Sequence, residues 1–200
     1  MDAIILASSS PRRRELLGQA GIPFKVIPGG VDETKVELAG TPWQKAEHLA
    51  YIKAKDVAKK MDKGLVLGAD TIVVYNGEIF GKPVDEKDAR RMLECLSGCE
   101  HFVITGLALI DAGNGKTVKG YETTKVRFAS LKEDEIQAYI KTGEPFDKAG
   151  AYGIQGRGVF LVEGLDGCYS NVVGLPLKKL GKMLEEFGIK VLEQEIAAIE

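Results

Sequence analysis

No apolar run in this chain reaches membrane-spanning length, so it does not read as a membrane protein. Its opening residues, MDAIILASSSPRRR, hold an apolar run of five or six residues with the arginines after it. A signal peptide has the opposite order and a longer apolar stretch, so the expected location is the cytoplasm. Cysteine is scarce. Cys95, Cys99 and Cys168 are odd in number and match no CxxC zinc spacing, which leaves reduced thiols used for packing. Neither sign of charge dominates: the net charge is −2, which argues against a general nucleic-acid binder. The glycines never fall in the GxGxxG order of a dinucleotide site. The segment GNGKT at 113–117 lacks the first glycine of a P-loop, because Ile110 stands there. Repeats, low-complexity segments and flexible linkers are also absent. Residues 1–200 therefore read as a single domain, or as two lobes around one cleft, with the 44% hydrophobic and 28% charged content of a soluble globular chain.

What is present centres on residues 65–83, LVLGADTIVVYNGEIFGKP. Two apolar, β-branched runs flank Asn76-Gly77, a pair suited to a tight two-residue turn, so a β-hairpin is expected. Its first arm is apolar on both faces, as in a central buried strand. Asp70 interrupts that arm, and a buried carboxylate is costly unless paired, hydrogen-bonded or metal-bound. One reading makes it a salt-bridge partner of an internal lysine. The other makes it functional, because perturbed carboxylates gather at sites. Lys82 closes the hairpin in Gly81-Lys82-Pro83.

Around this hairpin the chain alternates strands and helices. A strand at 3–7 leads into Ser10-Pro11, an N-cap followed by a first-turn proline. Arg12, Arg13 and Arg14 occupy that first turn, where the helix end is already positive. They make a solvated basic turn or, beside hydroxyls and free N–H groups, an anion site. A strand at 24–27 is followed by an acidic loop, Val31-Asp32-Glu33, in which Glu33 is a second oxygen ligand to set beside Asp70. Thr41 and Gln44 make a capping-box pattern, and Ala46, Leu49, Ala50, Ala54, Val57, Ala58 and Met61 form an apolar helical stripe. Lys53 falls inside the stripe, either snorkelling to its edge or reaching an internal anion.

Further on, Asp85 caps a helix to about 97, and a strand at 101–111 turns at Asn114-Gly115 into a strand at 119–128. Ser130 and Glu133 suggest a second capping box with a helix to about 142, and 144–148 a loop. The stretch AGAYGIQGRG at 149–158 allows close backbone approach to a ligand, and Gln155 has both a donor and an acceptor for a base edge; a tight structural turn is the alternative. Short strands are expected at 159–162 and 169–173, an amphipathic helix at 176–187, and a short tail after it. The pattern predicts an α/β fold with a mixed twisted sheet and flanking helices. Its cations and carboxylates together fit a polyphosphate and a hard divalent metal, Mg²⁺ or Mn²⁺.

Six motifs carry a resemblance that spans nearly the whole chain: LASSSPRRRELL at 6–17, VDE at 31–33, GADT at 68–71, GKP at 81–83, FDKAGAYGIQG at 146–156 and SNVVGLPL at 170–177. In content and order they are similar to the Maf family of nucleoside triphosphate pyrophosphatases. The resemblance implies an α/β structure with a central cleft, like the inosine triphosphate pyrophosphatases, often as a homodimer. It implies that Asp70 is the proton-accepting catalytic residue and Glu33 another polar position of the site; the two carboxylates are the candidate ligands of the metal. It makes Ser8, Arg13, Lys53 and Lys82 polar positions around the phosphates. Arg12, Thr71 and Gln155 match the positions that separate substrate subtypes, in the combination of the dTTP- and UTP-hydrolysing subtype. A nucleotidyltransferase and a nucleotide-binding regulator of division without turnover are the competing functions.

Overall fold

Ile4, Ile5 and Leu6 are apolar and fully buried, and they make the short strand β1 (Ile4–Leu6). The computed structural model describes residues 2–193, except the side chain of Thr34; the end of the expected tail lies outside the described residues. Helix α1 (Pro11–Gln19) starts with proline at its first position. The expected Ser10 side-chain cap is not formed. Ser8 supplies the hydroxyl acceptor instead, taking the Ser10 N–H at 3.3 Å. At the other end Gly21 (φ 65°) sits in the left-handed region, and the Gly21 and Ile22 N–H groups bond to Gly18 and Leu17 carbonyls. Strand β2 (Phe24–Val26) then runs parallel to β1.

Helix α2 (Pro42–Ala58) buries Ala46, Leu49, Ala50, Ala54, Val57 and Ala58 as its periodicity requires. The expected capping box is present, with Gln44 Oε1 accepting both the Thr41 N–H and the Thr41 hydroxyl. The hairpin forms as predicted from β3 (Leu65–Tyr75) and β4 (Glu78–Phe80). Asn76 (φ 48°) and Gly77 (φ 83°) both have the positive φ of a tight primed turn. Helix α3 (Glu86–Leu96) is capped by Asp85, whose carboxylate accepts the Asp88 N–H at 2.8 Å. Strands β5 (Glu100–Asp111) and β6 (Thr117–Phe128) follow. Their connection is longer than a two-residue turn, because Asp111 gathers it: its carboxylate accepts from Gly113 N–H and the Asn114 amide.

Three expectations in the second half are corrected. Helix α4 (Glu133–Ile140) is not opened by a Ser130–Glu133 box; Ser97 Oγ takes the Leu131 N–H, and Glu135 reaches back to the Lys132 N–H. Residues 144–161 are not loop and strand but three short 3-10 turns, and the strand β7 (Val162–Asp166) starts only where 159–162 was expected to end. Tyr169–Val173 is a short helix, α5, despite its two valines. Cys168 is fixed to Thr124 by bonds in both directions, and Asn171 donates to Val103 O and Thr124 Oγ1. These anchors override local strand propensity. Helix α6 (Leu177–Glu185) buries Leu180, Met183 and Leu184.

The strands make one seven-stranded mixed sheet in the order β2-β1-β3-β5-β6-β7, with β4 on β3. β1 is parallel to β2 and β3, whereas β3–β4 and β6–β7 are antiparallel. Among the described residues no helix is long and apolar enough to cross a membrane. The chain divides into two compact units. The first takes in the chain up to Asp70, Thr105–Glu122 and the chain from Gly174 onward. Its core sets Ala50, Ala54 and Val57 of α2 against Ile5, Val66 and Ala108 of the sheet. The second unit, Thr71–Ile104 and Thr123–Val173, packs Leu93 and Leu96 of α3 with Phe80, Phe128 and Tyr152.

A histidine lies in the core of the second unit. His101 is 1% exposed, edge-on to Phe128 and Tyr152, with Nε2 2.7 Å from the Tyr152 hydroxyl. Burial lowers its pKa from 6.5 to about 4. The unfolded chain therefore binds more protons between those values, so stability is present above pH 6.5 and lost as pH falls toward 4. A loss of ~3 kcal/mol is expected across that window. Urea unfolding at a series of pH values checks it, and His101→Gln should flatten the dependence.

Candidate functional site

The first unit brings one set of the predicted residues together. Ser8 lies half-buried just after β1, where the backbone leaves the sheet toward α1. Arg13, in the first turn of α1, folds back across it. Its Nη1 donates to Ser8 Oγ at 3.1 Å, and its Nε donates to the Gly174 carbonyl at 2.9 Å. Two of its nitrogens are thus engaged, and a planar guanidinium held at two nitrogens keeps a fixed orientation. Arg12 is half-buried beside it, and Arg14 is exposed.

Asp70 sits where β3 is buried on both sides, and its side chain is only 9% exposed. Lys53 reaches it from α2, with Nζ 2.6 Å from Asp70 Oδ1. The same nitrogen lies 2.8 Å from Glu33 Oε1, in a 3-10 turn (Glu33–Lys35) rather than an open loop. Of the two readings of Lys53, the internal anion is the one found. The salt bridge that was one reading of Asp70 is also real, and Lys53 is its lysine. A pocket of about 120 Å³ opens beside this cluster, lined by Ser8, Ser9, Pro28, Gly29, Glu33 and Lys53 among others.

The charges here act on one another. Burial lowers the pKa of the Arg13 guanidinium, Asp70 and Glu33 pull it back up, and Arg12 pushes it down. Two carboxylates and three cations of α1 and α2 therefore share one electrostatic environment. A dense arrangement of fixed, partly desolvated charges is suited to a polyanion that brings a counter-cation with it.

Asp56 is a contributor that sequence reasoning missed. Its carboxylate accepts the Gly30 N–H at 2.8 Å and pairs with Lys60 at 2.9 Å. The Gly30 N–H, then Lys60, lower its pKa. Asp56 thus fixes the Pro28–Gly30 turn that lines the pocket. In the sequence it reads only as a surface i, i+4 pair with Lys60, since nothing local shows that the loop comes back to it.

The remaining predicted residues belong to the second unit. Thr71 is half-buried in β3, directly after Asp70. Lys82 is exposed after β4, with no ion pair among the described residues. Gln155 is half-buried just before the 3-10 turn Gly156–Leu161. Cys95, Cys99 and Cys168 are free and half-buried, and the Tyr75 hydroxyl donates to Cys99 Sγ at 3.1 Å.

A family model described as "Maf-like protein" matches residues 3–187. The chain is 55% identical to a dTTP/UTP pyrophosphatase of Ruminiclostridium cellulolyticum, over 96% of this chain and 100% of that protein. It is 51% identical to a dTTP/UTP pyrophosphatase of Pelotomaculum thermopropionicum, over 96% and 100%, and 50% identical to one of Acetivibrio thermocellus, over 97% and 100%. Likeness at this level along the full length of both chains places the chain in the Maf-like protein family.

Proposed function

We propose that the protein is a nucleoside triphosphate pyrophosphatase that hydrolyses dTTP and UTP to the monophosphate and pyrophosphate. The structural observation that carries the chemistry is the buried Asp70 carboxylate, held by Lys53 together with Glu33 beside an open pocket. The nucleotide preference is supported by relatives of about half identity that bear that activity in their names, and by Arg12, Thr71 and Gln155 at the subtype positions.

Asp70 accepts the proton of the attacking water. The water oxygen bonds to the α-phosphorus as the bond from that phosphorus to the bridging oxygen breaks, and its electron pair leaves with pyrophosphate. Lys53, 2.6 Å from its Oδ1, holds Asp70 in orientation. Arg13, fixed by Ser8 and Gly174 O, presents charge to the phosphates.

A divalent cation fits the donors present. Among the described residues no cluster of three or more His, Cys, Asp or Glu could hold a metal by itself. Mg²⁺ does not need one, since it binds through one or two carboxylates and completes its shell with phosphate oxygens and water. Asp70 and Glu33, converging on Lys53, are the carboxylates that would hold it. Such a cation neutralises phosphate charge and polarises phosphoryl oxygens.

Pyrophosphate release from dTTP, UTP, CTP, ATP and GTP, with Mg²⁺ or Mn²⁺ and with chelator, tests the proposal. Release from dTTP and UTP that chelator abolishes is the expected result. A purine preference removes the assignment of Arg12, Thr71 and Gln155. Release only in the presence of an acceptor sugar points to a nucleotidyltransferase, and binding without release to a regulator.

A further inference from the structure

Between Glu144 and Leu161 the second unit has no ladder to hold its backbone, only three 3-10 turns. Gly150 (φ 69°), Ala151 (φ 59°) and Gly156 (φ 68°) all take the left-handed conformation. For alanine this is strained and persists only where the surroundings enforce it. Side chains do the enforcing. The Tyr139 hydroxyl accepts the Gly153 N–H at 3.3 Å, and Lys148 Nζ donates to the Glu144 carbonyl at 2.6 Å.

Glu144 bears most directly on Gln155. Its Oε1 accepts the Arg157 N–H at 3.1 Å. A Cβ added at Gly156 would come within 2.9 Å of Oε2, so carboxylate and backbone are in full contact there. The Tyr139 hydroxyl also interacts with this carboxylate. The Gln155 side chain, directly before this clamp, makes no hydrogen bond to any described residue.

Gln155 presents one donor and one acceptor. Thymine and uracil carry a carbonyl oxygen where cytosine carries an amino group. A Gln155 whose backbone wanders can meet either base edge, whereas one held at a fixed distance and angle to that edge discriminates. We propose that Glu144 is a positioning residue for substrate choice: by clamping the Gly156–Arg157 backbone it sets the distance and angle at which the Gln155 side chain meets the base, and thereby disfavours cytosine. This inference rests on the pyrimidine reading of Gln155.

The test measures kcat and KM for dTTP and CTP in the wild type, Glu144→Ala and Glu144→Gln, together with amide hydrogen exchange of residues 153–158 without nucleotide. Glu144→Ala is expected to lower the dTTP-over-CTP ratio of kcat/KM by about tenfold, chiefly through KM. It should also speed exchange at 153–158. Glu144→Gln keeps an acceptor for the Arg157 N–H and should restore both. An unchanged ratio overturns the proposal, and so does a loss of kcat shared equally by both substrates. If the wild type hydrolyses neither nucleotide, the functional reading fails separately, and exchange that Glu144→Ala leaves unchanged still overturns the clamp. Should Glu144→Ala not fold, Glu144→Asp, which withdraws the carboxylate by one methylene and keeps its charge, is held to the same criteria.

Discussion

Replacing Asp70 by asparagine is expected to lower turnover of dTTP by roughly 10³-fold or more while leaving a folded protein. The amide has the shape of the carboxylate and can still accept a hydrogen bond from Lys53 at the Oδ1 position. It can neither take a proton from water at neutral pH nor hold a divalent cation with comparable strength. Lys53 then retains Glu33 as its one charged partner, since both carboxylates lie within ion-pair distance of its amine. The cost to the fold is accordingly smaller than that of stranding a buried lysine altogether. Pyrophosphate release under substrate saturation, with a thermal melt of the same preparation, measures both sides. A folded Asp70→Asn protein that still turns over would remove Asp70 from the chemistry.

The second large effect comes from backbone packing rather than from charge. Gly106→Ala is expected to destabilise the protein by ~3 kcal/mol or more. At Gly106, in β5, an added Cβ would sit 2.2 Å from the carbonyl carbon and oxygen of Ala46 and 2.4 Å from the Glu47 nitrogen, all backbone of α2. At Gly68, in β3, it would sit 2.1 Å from the Ala50 oxygen and 2.8 Å from the Ala54 nitrogen. Helix backbone has no rotamer to change, so α2 must move off the sheet. The small residues Ala46, Ala50 and Ala54, fully buried along its stripe, are what allow the close approach. Lys53 rides on the same helix, and a helix displaced by a single methyl group carries its amine away from Asp70. Gly106→Ala should therefore lose activity in excess of its lost stability. Gly181, inside α6 with nothing within 4 Å of an added Cβ, is the control. Gly181→Ala should gain about 0.5–1 kcal/mol from helix propensity. Denaturant midpoints of the three proteins make the comparison.

Where the physics was local, the sequence was sufficient. Asn76-Gly77 set the hairpin and its register, because positive φ at two successive residues is a property of those residues. The stripe of α2 and the Asp85 cap of α3 were legible for the same reason. Asp70 stood out as a charge in an apolar strand, and the six motifs pointed to its family and chemistry. Other features depended on partners far along the chain. Tyr169–Val173 is helical because Thr124 and Val103 anchor its start, which no valine can report. Lys53 had two equal readings until α2 lay on β3, for only packing brings residues 33, 53 and 70 to one nitrogen. Asp56 and Glu144 were silent, since each acts on backbone that folds back to it from a loop. The sequence by itself determined most of the elements up to β6, the family and the candidate chemistry, all of which rest on short-range rules and motif order. The tertiary structure alone decided which charges meet, how closely α2 approaches the sheet, and which side chains brace the site loops, because each is a contact between residues the chain order holds apart.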